Sequence, residues 1–469
     1  MELQFLGANG NVTGSSTLVT LPNNKQIVID CGIMQDNSLK YNTVYNFNSR
    51  DFEFDLKNIE CVILTHAHLD HIGRLPLLTK QGYEGKILAT EPTAKLALIN
   101  LKDAAYLAEQ EVFIQNKRRN KDLYNVLYTI DEAKAAAKQV RCYDYNKKIY
   151  IDNNTTVELI PNGHMIGSAM IKIEYLKDFK KQTILFTGDT SGFTTRHPFI
   201  VPAQKINDVD TIITESTYGD RFHKKINIKS ELQKIIKTTC IENKKTLLMP
   251  VFSIQRSTEI IQILYELYKE NKIFKNIPIY LDSPMAISST EIINSSKQFW
   301  SNEWNEKFNN NQTFFNHNFV KYTNSAKESR GLANGTPKII LSSSGMAQGG
   351  RILHHLISFL PSKKCSIVFT GYCGEGTLAH ELINTKQKSI SIMGTQVRIK
   401  ANVKQLPFSS HADQNELIDL ISTSNDKTLK NIFIIHGDKD SSSTLQKKLT
   451  KQYNNVNIKI PVYKEIFKI

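Results

Sequence analysis

The first 75 residues alternate apolar and polar positions with a period near two. "ELQFLG", "STLVTL", "QIVIDCG" and "ECVILTH" are short runs of this kind, separated by turn residues. Such alternation predicts β-strands with one face toward a core. The period lengthens in "EPTAKLALINLKDAAYLAEQEVFIQNKRRN", where Pro92 falls early enough for a first helical turn to tolerate it. Strand patterns return in "KIYIDNNTTVELIPNGH", "AMIKIEYL" and "QTILFTGD". Beyond residue 215 the texture changes. "ELQKIIKTTCIENKKTLLMPVFS", "STEIIQILYELYKE", "NIPIYLDSP" and "TPKIILSSSG" alternate helix with strand, the signature of βαβ units and a parallel sheet. That alternation runs through "SIVFTGYCGEGTLAHELI", after which "SISIMGTQVRIKANVKQL" and "NIFIIHGD" are strand-like again. The simplest account is an α/β chain in which an insertion over 216–393 interrupts a domain made of residues 1–215 and 394–469.

Composition narrows the class without naming a chemistry. At 469 residues the chain is too long for one compact core, and 40% apolar with 22% charged residues suits a globular protein. No run approaches the roughly 18 apolar residues of a membrane helix. The opening "MELQFLGANGNVTG" has neither a basic segment nor a long apolar one, so the expected location is the cytoplasm, with no membrane partner. Six scattered cysteines form no C-x-x-C pair, which points to reduced structural thiols. The net charge of +14 favours a polyanionic partner, nucleic acid first, although a lysine- and asparagine-rich composition would raise it in any case. The basic run at 116–121 reads as a solvated helix face.

"THAHLDH", Thr65–His71, changes the picture. With only 12 histidines in the chain, three of them and an aspartate within six residues is improbable by chance. Imidazole and carboxylate together suit zinc. His66, His68, Asp70 and His71 follow an apolar strand, and three further segments repeat that layout. His164 lies in "PNGHMIGSA", Asp189 in "ILFTGDTSG" and His436 in "NIFIIHGD". The set suffices for two zinc ions. In this assignment His66, His68 and His164 hold one ion, Asp70, His71 and His436 hold the other, and Asp189 bridges.

"THAHLDH", His164, Asp189 and the early "VIDCG" with Asp30 resemble the metallo-β-lactamase fold, an αββα sandwich. "TESTYGD", "FSSHAD" and "IIHGD" resemble motifs of its β-CASP branch of nucleases, which includes RNase J and the cleavage-and-polyadenylation endonuclease. "PVFSIQRSTE", "YLDSPMA", "SSSGMAQGGRILHHL" and "GYCGEGTLAHEL" are similar to the insert of bacterial and archaeal members. The resemblance implies an inserted β-CASP domain with a parallel sheet flanked by helices. It makes Glu215 and His411 catalytic residues beside Asp189, and gives Asp30 the task of orienting the ligand loops. One departure is visible: Gln255 precedes Arg256 where the family often has glycine.

The implied activity is hydrolysis of RNA phosphodiester bonds by metal-activated hydroxide, leaving a 5′-phosphate and a 3′-hydroxyl. His411 would protonate the departing 3′-oxygen, with Glu215 orienting its ring. In the insert, Ser344, Gly345, Gly349, Gly350 and Arg351 open a helix, where exposed N–H groups favour a phosphate, and Arg256 is a further candidate contact. A DNA nuclease of the same branch and a metallo-hydrolase of small molecules are the alternatives. Endonuclease against 5′→3′ exonuclease action stays open, as does assembly into a homodimer.

Overall fold

The computed structural model describes residues 1–36, 39–119, 123–177, 180–193, 197–224, 226–270, 276–308, 319–335, 337–424 and 428–469. Of the basic run at 116–121, Asn120 and Lys121 lie outside these. The chain forms two compact units. The first comprises Met1–Phe222, Gln298–Trp304 and Ser410–Ile469, and the second comprises His223–Lys297 and Asn305–Ser409.

Two seven-stranded sheets make the first unit. In one, the order is Ile466–Lys468, Glu2–Phe5, Thr17–Thr20, Gln26–Ile29, Ile59–Ile63, Lys86–Ala89, Val140–Cys142. In the other it is Asn457–Lys459, Asn431–Ile434, Thr211–Thr214, Lys180–Phe186, Ala169–Lys177, Thr155–Pro161, Ile149–Tyr150. Residues from both chain ends therefore enter each sheet or its edge. The period-two pattern explains how the sheets stack. Leu3, Phe5, Val19, Ile27, Ile29 and Ile63 of the first sheet share one core with Val157, Leu159, Ile171, Ile173, Phe186 and Phe433 of the second. The Phe5 and Phe433 rings meet at 5.3 Å between centroids, and deleting one such buried ring costs about 3–5 kcal/mol. Residues of opposite parity are buried too. Leu185, Ile212, Ile432 and Ile434 pack against Leu417, Leu420, Leu445 and Leu449 of helices Gln414–Ile421 and Lys439–Gln452. Val28, Val62 and Ile87 are 0% exposed on the outer side of the first sheet. Its parallel strands are joined by helices Leu75–Lys80, Glu91–Arg119 and Ile130–Lys138, and such crossovers cover a sheet face. The unit is thus an αββα sandwich.

The second unit is built on a six-stranded sheet, all of whose pairings are parallel. The division expected after residue 393 falls later here. Strand Asn402–Leu406 pairs with Ser366–Thr370 from Ser366↔Asn402 to Thr370↔Leu406, so the chain up to Ser409 packs with the second unit. The strand-like text at 389–406 was correctly periodic, but periodicity does not say which sheet a strand joins. No helix of the described residues is long and apolar enough to cross a membrane.

One glycine ties the fold to the chemistry. A Cβ on Gly32 would stand 1.7 Å from the Asp70 carbonyl oxygen and 2.8 Å from Ser15 N. That oxygen accepts Ser15 N–H at 2.7 Å, and the His71 carbonyl accepts Cys31 N–H, also at 2.7 Å. Gly32→Ala should therefore destabilise the chain by about 3 kcal/mol, read by thermal unfolding, through backbone overpacking. An undiminished unfolding midpoint would show that the two segments can separate at no cost.

Candidate metal centre

Every ligand candidate stands at or just past the end of a core strand. Strand Ile59–Ile63 delivers Thr65–His71, Thr155–Pro161 delivers His164, Lys180–Phe186 delivers Asp189, and Asn431–Ile434 delivers His436. Strand ends stop pairing, so their side chains can converge while the sheets hold them in place. Two positions carry backbone strain: Asp30 at φ 59° and His436 at φ 51° are non-glycine residues in the left-handed region.

Ligand atoms of His66, His68, His164 and Asp189 all lie within 4.8 Å of one another, and so do those of Asp70, His71, Asp189 and His436. Asp189 belongs to both groups. Its Oδ1 is 3.3 Å from His71 Nε2 and 3.4 Å from His436 Nδ1. Its Oδ2 is 3.5 Å from His66 Nε2 and 3.8 Å from His164 Nε2. His68 Nδ1 lies 3.0 Å from His66 Nε2 and 3.2 Å from His164 Nε2. The donor set fits a metal on a further observation. His71 Nε2 and Asp189 Oδ1 are buried with no hydrogen-bond partner among the described residues, a cost that coordination would remove.

Outer contacts aim these ligands. Asp30 Oδ2 is 2.7 Å from His71 Nδ1 and accepts Thr65 Oγ1–H at 2.7 Å, while Oδ1 accepts Thr65 N–H at 2.8 Å. Asn162 Nδ2 donates to the Asp189 carbonyl at 2.7 Å, and its Oδ1 accepts His164 N–H at 3.2 Å. Thr65 and Asn162 carry no sequence signal of this task, since small polar residues beside strand ends are ordinary.

A third group joins Asp189 to Glu215 and His411. His411 Nδ1 is 2.9 Å from Glu215 Oε2, and its Nε2 is 3.9 Å from Asp189 Oδ2. Glu215 Oε1 also accepts Thr190 N–H at 2.7 Å, which locks the carboxylate. The loop before His411 is anchored as well. The Ser410 carbonyl is 3.2 Å from His164 Nδ1, and Ser410 Oγ is 3.2 Å from Nε2 of the buried His197. Nothing around His197 in the sequence signals this contact, which pairs residues more than 200 positions apart.

Charge follows the packing. Burial pushes His66 and His164 well below the ordinary histidine range, leaving neutral rings with lone pairs to offer. Burial acts the same way on His71, but Asp189, Asp30 and Asp70 outweigh it and hold the ring well above that range. Burial would raise Asp189, yet the imidazoles of His436, His71 and His411 hold it well below the usual carboxylate range. For His411, burial is again opposed by Glu215 and Asp189, and the ring is raised to about 9.

The six residues considered for substrate contact belong to the second unit. The structure engages Arg351 internally: its Nη1 donates to Asp282 Oδ1 at 2.7 Å and to the Thr323 carbonyl at 2.9 Å. Asp282, 0% exposed, also lies 2.6 Å from His355 Nε2 and accepts Ser329 Oγ–H at 2.6 Å. Arg256 is buried, bonded to Glu259 and set 4.9 Å over the Phe408 ring. Both guanidiniums thus have structural partners that a charge-based reading of the sequence does not foresee. Ser344 Oγ accepts Gln348 N–H at 3.0 Å, Gly345 abuts Phe252, and Gly350 caps helix Arg351–Phe359 with φ 80°, while Gly349 has open space at its Cβ position.

An αββα sandwich with clustered histidines and aspartates at its strand ends defines a metallo-hydrolase scaffold. Family comparison agrees with this. Residues 9–97 match the metallo-beta-lactamase superfamily, 257–382 the Beta-Casp domain, and 396–461 the Zn-dependent metallo-hydrolase RNA specificity domain. The chain is similar to "Ribonuclease TTHA0252" of Thermus thermophilus, 29% identical over 98% of both chains. It is 30% identical to "Transcription termination factor FttA" of Methanocaldococcus jannaschii, over 96% of this chain and 70% of that one. It is 27% identical to "Endoribonuclease ysh1" of Schizosaccharomyces pombe, over 99% of this chain but 57% of that protein. The chain belongs to the β-CASP branch of the metallo-β-lactamase superfamily, and a metal cofactor is implied.

Proposed function

We propose that this protein is a zinc-dependent ribonuclease that hydrolyses RNA phosphodiester bonds and leaves a 5′-phosphate and a 3′-hydroxyl. His66, His68 and His164 would hold one zinc ion, Asp70, His71 and His436 a second, and Asp189 would serve both. Zinc ions bound there would supply Lewis-acid activation of water and neutralise charge gathering on the phosphate. The chain's own residues supply the rest. The observation that carries the reading is the His411–Glu215 pair beside Asp189. Hydrolysis that releases the ribose 3′-oxygen needs a proton delivered to that oxygen, because its departure as an alkoxide is costly. Glu215 and Asp189 favour the protonated form of His411, with Glu215 fixing Nδ1 and leaving proton delivery to Nε2. Asp30, through His71 and Thr65, holds the loop that carries the ligands. The names of the similar proteins and the match to an RNA specificity domain support RNA as the substrate. The net charge of +14 agrees with a polyanion, and cytoplasmic RNA is the expected pool.

Matched RNA and DNA oligonucleotides of one sequence test the substrate. The RNA should be cut to products with 5′-phosphate ends while the DNA is cut far more slowly. Preference for DNA would overturn the reading. Labelling the RNA with and without a 5′-phosphate in the same assay separates internal cleavage from release of mononucleotides.

A further inference from the structure

Cys31 and Gly32, which hold the Asp70–His71 backbone, also line a cavity. Its volume is about 10 Å³, and its walls include Leu6, Gly14, Arg50 and Arg74. That is room for about one water-sized occupant. Two guanidiniums line this one small cavity, and their hydrogen-bond partners are backbone carbonyls. Arg50 donates to the Phe47 carbonyl at 2.8 Å and the Leu6 carbonyl at 3.1 Å. Arg74, only 6% exposed, donates to the Asn48 carbonyl at 3.0 Å and to the Arg50 carbonyl. Each cation also lies over a ring, Arg50 at 3.4 Å from the Phe47 centroid and Arg74 at 4.3 Å from that of Phe52.

Carbonyls and rings satisfy donors without neutralising charge. Among the described residues no carboxylate oxygen comes within 4.0 Å of either guanidinium. Glu53, which lines the same cavity, is engaged by Lys464 Nζ at 3.0 Å and Tyr463 Oη–H at 3.2 Å. Arg50, Arg74 and Lys464 therefore outnumber the nearby carboxylates of Glu53 and Asp51. Arg50 Nε is buried with no hydrogen-bond partner among the described residues. Burial lowers the proton affinity of both arginines and Arg74 lowers that of Arg50 further, against a smaller opposing pull from Tyr463 and Glu53. A water in the cavity would accept from Arg50 Nε but leave the charge uncompensated; an anion does both.

We propose that this cavity is a binding site for a small monovalent anion, with chloride as its occupant, held between Arg50 and Arg74. Tetrahedral oxyanions such as phosphate are too large for a space of this size. The site is distinct from the metal ligands but joined to them by backbone. Arg74 N–H donates to the Cys31 carbonyl at 2.8 Å, and Cys31 N–H donates to that of His71. The proposal does not depend on the hydrolase reading.

The test uses the metal-loaded chain in sodium chloride against sodium gluconate at equal ionic strength, since gluconate cannot enter. Chloride should raise the thermal unfolding midpoint by about 2–4 °C in a saturable manner. Arg50→Met should abolish the difference between the two salts. Crystals grown in bromide should show an anomalous peak between Arg50 and Arg74, which keeps the proposal testable should the variant fail to fold. Equal midpoints in the two salts, a shift that survives in Arg50→Met, or a cavity without bromide would each overturn it.

Discussion

Replacing His411 with alanine should leave the metal content at the wild-type level while lowering kcat by about 10²–10⁴-fold, the range expected for a lost general acid. His411 is absent from both groups that gather the other imidazoles around Asp189, so its removal spares their donors. The pH profile separates a proton donor from a structural residue. Burial disfavours the charged ring, but Glu215 at 2.9 Å and Asp189 at 3.9 Å overcome this and raise it to about 9. The acid form is therefore present below that value and lost as pH rises through it. Bound metal cations act in the opposite sense, so the alkaline limb of activity should lie no higher than about pH 9. In Glu215→Gln the limb should move to lower pH, because the charge that raises the ring is gone. Unchanged turnover in His411→Ala would refute the acid role.

Asp189→Ala should have a still larger effect, on binding as well as on rate. Its carboxylate lies within 4.0 Å of His66, His71, His164, His411 and His436. Without it both ligand groups lose a member, and the neighbouring imidazoles lose the negative charge that balances a dication. Metal content, measured on purified protein after zinc loading, should fall from the proposed two ions per chain to below one. Activity should drop by about 10³-fold or more, since charge stabilisation by such ions is worth several kcal/mol. A chelator should lower the unfolding midpoint of the wild type and leave that of Asp189→Ala unmoved, because only a ligand bound to the folded state stabilises it. Full metal retention in this variant would remove Asp189 from the proposed ligand set.

Much of the fold was legible locally, because a strand's period of two is written in its own residues. Leu3 and Phe5, Ile27 and Ile29, and Ile171 and Ile173 announce the faces that meet in the inter-sheet core. The assignment of Asn402–Leu406 to the second unit was not legible, since the strand pattern is the same whichever neighbour it pairs with. At the site the same division holds. "THAHLDH", His164, Asp189 and His436 carry a signal in residue type and in their place at strand ends. The partners that aim them, Thr65, Asn162 and His197, have ordinary local sequences.

Arginine is where sequence alone says least about partners. Arg351 opens a glycine-rich helix start and reads as a phosphate contact, yet its guanidinium is turned to the buried Asp282. Arg50 and Arg74 carry no motif, yet they face one cavity whose carboxylate, Glu53, is engaged by Lys464 and Tyr463. A guanidinium looks the same in a sequence whether an acid, a carbonyl or a ring receives it. By itself the sequence determined the strand-rich chain ends, the parallel insert and the identity of the ligand candidates, because periodicity and residue chemistry are local properties, while the αββα class was what the resemblance of its motifs implied. The tertiary structure alone decided how the loops are anchored around Asp189, which arginines are bonded within the fold, and which have no carboxylate at ion-pair distance among the described residues. Those outcomes depend on distances across hundreds of residues, where Coulombic pairing and burial act and no local pattern records them.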